Sequence, residues 1–133
     1  MRSIIITLAL WLVTALPAAA QQDDIRGVIS DQLTAFQADD FETAFTFASP
    51  TLQQYFRTPE NFGAMVRNGY PMVHRPADVQ FLALEEIAGD LWQMVMIRDG
   101  AGASHMLAYR MQQGPEGWRI AGVNVLKTHG VSA

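Results

Sequence analysis

The residues of this sequence that could take part in acid–base chemistry are few and widely separated. The three histidines are His74, His105 and His129, and none lies at metal-ligand spacing from another histidine or from an acid. A zinc or iron site needs three or four convergent ligands, so the sequence predicts no metal site. His105 and Tyr109 stand four residues apart in a predicted strand and therefore share one of its faces. If that face lines a pocket, one of them could act as a base or hydrogen-bond donor; the favoured alternative is a half-exposed pair without function.

Other residue types that carry catalytic chemistry lack partners. Glu85 and Glu86 are consecutive in a predicted strand, so their carboxylates point to opposite faces and are not a catalytic pair. Ser49, Thr51 and Ser104 have no base nearby in the sequence, so nothing supports nucleophilic hydrolysis. The chain has no cysteine, which excludes thiol catalysis, and its glycines stand at turns rather than in a phosphate-binding loop. We therefore expect no cofactor.

The charge of the chain is mildly acidic, with a formal net charge of −4. The basic residues are scattered singly and form no stripe. Nucleic acid is therefore an unlikely class of partner, because binding it needs clustered Lys and Arg. The sequence also has no basic amphipathic helix, so we expect no membrane association once the N-terminal segment described next has been removed.

The N-terminus has the order of features found in a signal peptide. Arg2 is followed by the apolar run Ile4–Leu16 and then by the small residues Ala18-Ala19-Ala20. The run is too short for a transmembrane helix, which needs about twenty apolar residues. We predict a cleaved signal peptide over residues 1–20 and a single domain over residues 21–133; the alternative is an uncleaved anchor. The protein is then exported, and its domain must be stable through packing alone, without disulfides.

Apolar spacing and helix-capping residues predict four helices after the signal peptide. Asp23 and Asp24 suit the start of the first, and Ser or Thr followed by Pro marks the starts of the last two. Pro71 and Pro76 then favour an extended crossing segment over Tyr70–Ala77. The predicted helices run to about Ala38, over Phe41–Ala48, from Pro50, and from Pro59 to about Asn68.

The second half of the chain predicts four antiparallel strands joined by tight turns. Glycine-containing turns separate the last three strands, as is typical of hairpins. Both faces of the predicted sheet carry apolar residues, whereas a sheet with one solvated face alternates with polar ones. We therefore expect the second face to be covered by a partner subunit, a helix or an apolar ligand. The predicted strands are Asp78–Ile87, Leu91–Arg98, Ser104–Gln112 and Trp118–Leu126.

The order of helices and strands, and several short motifs, resemble a known family. The motifs are Gln32-Leu33-x-Ala35-Phe36, Ala48-Ser49-Pro50, Tyr70-Pro71-Met72-Val73 and the Trp118–Val123 run. They are similar to the exported bacterial proteins of domain of unknown function 4864, within the nuclear-transport-factor-2-like, cystatin-related superfamily. The resemblance implies an α+β fold, with N-terminal helices packed on a curved four-stranded antiparallel sheet as a cone, and a periplasmic or secreted protein. The superfamily includes isomerases, dehydratases and non-enzymatic modules, so the fold sets no function.

Three hypotheses about function follow from these observations. The leading one is a non-catalytic binding or interaction module that forms a homodimer through the sheet or holds a small apolar ligand. The second is an isomerase or dehydratase that uses His105 and Tyr109 in a pocket inside the cone. The third is a carrier for an apolar ligand that is held among Trp92, Met94, Met96 and Phe62. The candidate pocket residues are Phe62, Tyr70, His74, Trp92, Met94 and Met96.

Overall fold

A computed structural model describes residues 18–129 of the chain. Five helices are followed by four strands, which form one antiparallel sheet in the order β1-β2-β3-β4. This confirms the predicted α+β class, with helices packed on a curved four-stranded sheet. The predicted signal peptide lies outside the described residues except for its last three, which belong to the first helix. The elements are α1 Ala18–Gln37, α2 Phe41–Thr46, α3 Pro50–Phe56, α4 Pro59–Gly69, α5 Pro71–His74, β1 Pro76–Ile87, β2 Asp90–Asp99, β3 Ser104–Gly114 and β4 Gly117–His129.

Side-chain caps define the starts of three helices. The Ser49 hydroxyl accepts from the Leu52 amide at 3.3 Å and begins α3, and the Thr58 hydroxyl accepts from the Asn61 amide at 3.1 Å and begins α4. Proline follows each cap, as the sequence predicted. The cap of α2 is Asp40 rather than Asp39, and Asp39 instead adopts a left-handed conformation with φ 54°.

Two sequence predictions about helical segments were wrong. Asp23 and Asp24 lie inside α1 instead of capping it, because the helix already includes Ala18. The segment after α4 is not an extended crossing, since Pro71–His74 forms the single turn α5. Besides its own φ, a proline restricts the residue before it, and Tyr70 and Arg75, which precede the two prolines, are both non-helical with φ near −135°. Between them the chain has room for one helical turn that begins at Pro71, a favoured first position.

The core lies between the helices and one face of the sheet. Strand residues at alternate positions contribute Val95, Ile97, Leu107 and Tyr109, which are fully buried. Trp118 at the start of β4 belongs to the same cluster. The helices contribute mainly Ile25, Ile29, Leu33, Phe36, Ala44, Phe62, Val66, Met72 and Val73.

A bulge in β1 changes which of its residues face the core. The pairing with β2 shifts between Phe81 and Leu84, so Leu84 joins Val79 and Phe81 against the core. Simple alternation along β1 would instead place Leu84 on the face opposite to Val79 and Phe81. The buried amide of Gln93 fills the bulge, because its Nε2 donates to the carbonyls of Leu82 and Met94 at 2.9 Å each.

The segment between α2 and α3 is tied directly to the sheet. Ala48 forms a parallel bridge with Ile120. The Ser49 amide donates to the Ile120 carbonyl and the Ile120 amide donates to the Phe47 carbonyl, each at 2.8 Å. The β3–β4 pairing shifts between Arg110 and Met111, beside this bridge. The bridge therefore anchors the helical layer on β4, a strand at the edge of the sheet.

Candidate functional site

A cavity of about 410 Å³ lies between the helices and the sheet. Its volume falls within the range of small-molecule sites, roughly 300–1,000 Å³. Helices α1, α3, α4 and α5 line it on one side and strands β3 and β4 on the other. The lining residues are Gln32, Phe36, Ala48, Leu52, Tyr55, Phe56, Phe62, Met65, Val66, Tyr70, Val73, Tyr109, Ile120, Gly122, Val123 and Asn124.

An aromatic cluster centred on Phe62 forms the helical wall of the cavity. The Phe62 ring lies 5.6 Å from the ring of Phe36 and 5.4 Å from each of the rings of Phe45 and Phe56, between ring centroids. These distances are those of favourable aromatic pairs. Phe36, Phe56 and Phe62 line the cavity from α1, α3 and α4, whereas Phe45 of α2 contacts Phe62 without lining it.

Tyr109 contributes to the opposite wall and is the most buried large side chain there. Its side chain is fully buried, and its hydroxyl has no hydrogen-bond partner within residues 18–129. Burial raises the pKa of the Tyr109 phenol above its usual value of 10.0, so the group keeps its proton at neutral pH. Tyr109 is thus a lining residue whose neutral, buried hydroxyl has no partner among the described residues.

Of the other polar lining residues, Gln32 is buried, Tyr70 is half-buried, and Tyr55 and Asn124 are exposed. Gln32 is buried, and its Nε2 donates to the Ala44 carbonyl at 3.2 Å. Tyr55, at 76% exposure, and the exposed Asn124 stand at the open side of the cavity. Among the described lining residues there is no Asp, Glu, Lys, Arg or His. The site can therefore hold an uncharged molecule but has no acid or base to move its protons, other than tyrosine.

His105 shares the core-facing side of β3 with Tyr109, as the sequence predicted, but it does not line the cavity. Its Nε2 lies 2.8 Å from Asp99 Oδ2 and its Nδ1 lies 3.1 Å from the Thr128 hydroxyl. Asp99 Oδ1 also accepts from the amides of Ala101 and Ala103, at 3.0 and 2.9 Å. The hydrogen bond from His105, followed by those backbone amides, holds the pKa of Asp99 below its usual range. His105 therefore secures the β2–β3 turn and the end of β4.

His74 lies in α5 and is joined to the turn between α1 and α2. Its Nε2 lies 2.7 Å from Asp39 Oδ1. Arg75 donates to both oxygens of the same carboxylate, at 3.0 and 3.1 Å, and to the Phe36 carbonyl at 3.0 Å. The hydrogen bonds from His74 and then Arg75 lower the pKa of Asp39. The predicted pocket residue His74 is thus part of a link between two helices and does not line the cavity.

The other predicted pocket residues fall into two groups. Phe62 and Tyr70 line the cavity. Trp92, Met94 and Met96 are half-buried and alternate with the core-facing residues of β2, which places them on the other face of the sheet. The structure therefore does not bring Met94 and Met96 together with Phe62 in one pocket.

Sequence reasoning missed several residues that the structure places at the cavity. Gln32, Phe36 and Leu52 face it from two helices, and Val123 from β4. A buried polar residue such as Gln32 within an apolar helical stripe was an available signal, because buried amides need partners. The contribution of α3 also had a signal, because Leu52, Tyr55 and Phe56 stand at the i, i+3, i+4 spacing of one helical face.

Two further observations limit the kinds of site in the described part of the chain. No group of three or more His, Asp or Glu residues within 18–129 is placed to hold a metal ion. Over the same range, no helix is both long and apolar enough to cross a membrane.

The fold and the cavity define the class of protein as a small α+β domain with an apolar pocket between its helices and its sheet. The family model described as Domain of unknown function (DUF4864) matches residues 18–133 of the chain. The chain belongs to this family, as the sequence motifs predicted. No curated protein and no solved structure matches the chain.

Proposed function

We propose that this protein is a non-catalytic binding module that holds a small apolar molecule in the cavity between its helices and its sheet. The observation that carries the proposal is the cavity itself, about 410 Å³ in volume and lined mostly by apolar and aromatic side chains. Such a site excludes water from a ligand and stabilises it through buried apolar area. The Phe62 cluster provides a firm aromatic wall, which suits a ring-containing or branched ligand.

Binding is favoured over catalysis by the chemistry of the lining. An isomerase or dehydratase needs a base within hydrogen-bond reach of the proton that it removes. The candidate base, His105, does not line the cavity, and both its ring nitrogens have partners in Asp99 and Thr128. Tyr109 alone is a poor base, because burial keeps its phenol protonated.

The proposal also covers the cellular location of the protein and the superfamily to which it belongs. The signal-like N-terminus supports export to the periplasm or secretion, where the module would meet its ligand outside the cytoplasm. The order of helices and antiparallel strands supports a place in the nuclear-transport-factor-2-like superfamily. In that setting, a cavity between helices and sheet is a natural place for a ligand.

Native mass spectrometry of protein purified from its own host tests the binding function. We expect a mass above that of the polypeptide, which falls to the polypeptide mass on denaturation. The variant Val123→Phe fills part of the cavity and should lose the additional mass. Val125→Phe is the matched control, because Val125 lies two residues along the same strand, is 41% exposed and does not line the cavity. Wild-type protein with no additional mass and no affinity for any apolar probe would refute the proposal.

Self-association through the sheet is a second candidate, favoured by the outer face of the sheet. Trp92, Met94, Met96 and Met106 lie there at neighbouring positions, and Met96 pairs directly with Met106 across the strands. All four are partly accessible, and none belongs to the core cluster under the helices. A second copy of the chain would bury this apolar surface symmetrically.

Sedimentation velocity at micromolar concentration tests this second candidate. We expect a dimer for the wild type and a monomer for Met96→Lys, which places a charge in the centre of the apolar face. Gln54→Lys adds the same charge on the exposed side of α3 and should leave the dimer intact. A wild-type protein that sediments as a monomer throughout would exclude self-association at this face.

A further inference from the structure

We infer that the ligand of the cavity is an uncharged molecule with a hydrogen-bond acceptor, such as a carbonyl or ether oxygen, that accepts from the hydroxyl of Tyr109. The inference rests on the proposed binding function and adds to it the chemical class of the ligand. It assigns to Tyr109 the role of a specificity-determining contact in a site whose other contacts are mainly apolar.

The state of the Tyr109 hydroxyl carries the inference. The side chain is fully buried, and the hydroxyl has no partner within the described residues although it belongs to a cavity-lining residue. A buried hydroxyl without a hydrogen bond is costly, and buried polar groups in proteins are nearly always paired. A ligand that supplies a partner removes this cost, so a ligand with a polar atom at this position binds better than a hydrocarbon of the same shape.

The direction of the hydrogen bond follows from the protonation of the phenol. Burial raises its pKa, so the group is neutral and has a proton to donate. The other buried polar side chain of the lining, Gln32, already uses its amide nitrogen on the Ala44 carbonyl. Among the fully buried side chains of the lining, Tyr109 is therefore the one whose donor has no partner within the described residues, and the complementary ligand atom is an acceptor.

The charge of the ligand is limited by the rest of the lining. A carboxylate or an ammonium group placed beside Tyr109 would be removed from water with no opposite charge among the described lining residues. Burying an unpaired charge is far more costly than burying a neutral polar group. Fatty acids, phosphorylated lipids and amines are thus disfavoured, whereas ketones, esters and ethers with apolar bodies fit.

Two probe molecules of the same shape test this assignment. The first is 2-acetylnaphthalene, which carries a carbonyl acceptor, and the second is 2-isopropenylnaphthalene, in which a CH₂ group replaces the carbonyl oxygen. Each is titrated into the full chain, purified and freed of bound ligand, and its dissociation constant is measured from NMR chemical shifts of cavity residues. We expect the ketone to bind the wild type roughly three- to tenfold more tightly, the range of one net hydrogen bond.

Tyr109→Phe should abolish this preference by weakening ketone binding while leaving hydrocarbon binding unchanged or improved. Thr34→Val removes a hydroxyl from an exposed position of α1 that does not line the cavity, and it should keep the preference of the wild type. Circular dichroism and the dispersion of amide NMR signals check that each variant is folded. Because Tyr109→Phe removes only an unpaired oxygen, we expect it to fold.

The outcomes separate this inference from the function on which it rests. If both probes bind the wild type equally, the assignment of an acceptor is overturned while the apolar binding function stands; a bound water molecule on the hydroxyl would give this result. If the preference persists in Tyr109→Phe, another group is the donor and the assignment is likewise overturned. If neither probe shifts any cavity residue, both the inference and the proposed function fail.

Discussion

Single residues determine what the cavity can recognise, and Tyr109 shows how. The hydroxyl of a buried tyrosine normally has a hydrogen-bond partner. On the same strand face, both ring nitrogens of His105 have partners, in Asp99 and Thr128. Tyr109 has none within residues 18–129. A buried hydroxyl without a partner is costly, and phenylalanine would fill the same space at lower cost, so this residue is the one on which the proposed ligand contact depends.

We predict that Tyr109→Phe leaves the ligand-free protein as stable as the wild type or more stable, by up to about 1 kcal/mol in free energy of unfolding. The change removes the cost of an unpaired buried hydroxyl without leaving a large void. Urea denaturation of ligand-free protein measures the difference, with Tyr55→Phe as the control. A clear loss of stability would show that the hydroxyl has a partner in the free protein.

Trp118 illustrates a residue whose role is packing. It is 7% exposed and belongs to the main core cluster. We predict that Trp118→Ala lowers the free energy of unfolding by about 3–5 kcal/mol, through lost apolar burial and the space left behind. Trp92→Ala is the comparison, since Trp92 is only half-buried on the other face and should cost less. A denaturation midpoint equal to that of the wild type would contradict the placement of Trp118.

Helices and strands decide which residues meet, and their prediction from sequence succeeded where the signal was local. Ser49 and Thr58 marked helix starts correctly, because a cap depends only on the next few residues. The prediction of an extended segment around Pro71 and Pro76 was wrong because it extended the restriction on the residue before each proline to all the residues between them. The bulge after Phe81 had no local signal, since it is stabilised by Gln93 on the neighbouring strand.

The residues of the cavity could be predicted only in part, because the sequence does not show which face of the sheet meets the helices. The alternation of residues in β2 separates Trp92, Met94 and Met96 from Gln93, Val95 and Ile97, but it does not say which set meets the helices. Both sets are largely apolar, so hydrophobicity cannot decide between them. Phe62 and Tyr70 were identified because they lie in the helical region itself; the strand residues opposite them required the tertiary structure.

The contact between α2 and α4 depends on a glycine. A Cβ atom added at Gly63 would lie 2.6 Å from Cγ of Phe41, much closer than van der Waals contact. The Phe41 ring is also covered by Arg67, at 5.0 Å, and by His74, with 5.9 Å between ring centroids. Phe41 is therefore enclosed on several sides and has little room to move.

We predict that Gly63→Ala destabilises the protein by about 1–3 kcal/mol, the usual cost of overpacking. Gly27→Ala provides a matched control, because Gly27 lies in α1 with no atom within 4 Å of the added Cβ. There the better helix propensity of alanine should stabilise the protein by about 0.5–1 kcal/mol. Thermal unfolding of both variants measures the contrast, and equal shifts would contradict a close contact at Gly63.

The link between the α1–α2 turn and α5 should make stability depend on acid. Because His74 and Arg75 lower the pKa of Asp39 in the folded protein, its carboxylate stabilises the fold above the ordinary pKa of 3.8. This contribution is lost as the pH falls from about 4 through the lower folded-state pKa. We predict that Asp39→Asn reduces stability at neutral pH and that its difference from the wild type shrinks below pH 4.

Asparagine is the appropriate substitution at this position because Asp39 has a positive φ of 54°, which asparagine tolerates well. Asp39→Ala removes the carboxylate and also strains the backbone, so it should remain less stable than Asp39→Asn even in acid. Urea denaturation at several pH values between 3 and 7 tests both statements. A difference between wild type and Asp39→Asn that does not change with pH would exclude the link as its cause.

Taken as a whole molecule, the domain combines a large cavity with a fold that has no disulfide to support it. Its stability therefore depends on packing around an open interior, and a bound ligand would contribute through mass action. The helical layer that covers the cavity is held to the sheet by the aromatic cluster and by the bridge between Ala48 and Ile120.

The bridge between Ala48 and Ile120 offers a way to measure whether the helical layer stays packed on β4. Ala48 and Ile120 both line the cavity, and the amide protons of Ser49 and Ile120 are shielded only while the helical layer is seated on β4. We expect these two protons to exchange with solvent deuterium at one common opening free energy, and more slowly when a ligand is bound. Clearly different opening free energies for the two would mean that the segment lifts away residue by residue. If the two opening free energies agree, the exchange of these two amide protons, which are distant in sequence, measures how often the helical layer separates from β4.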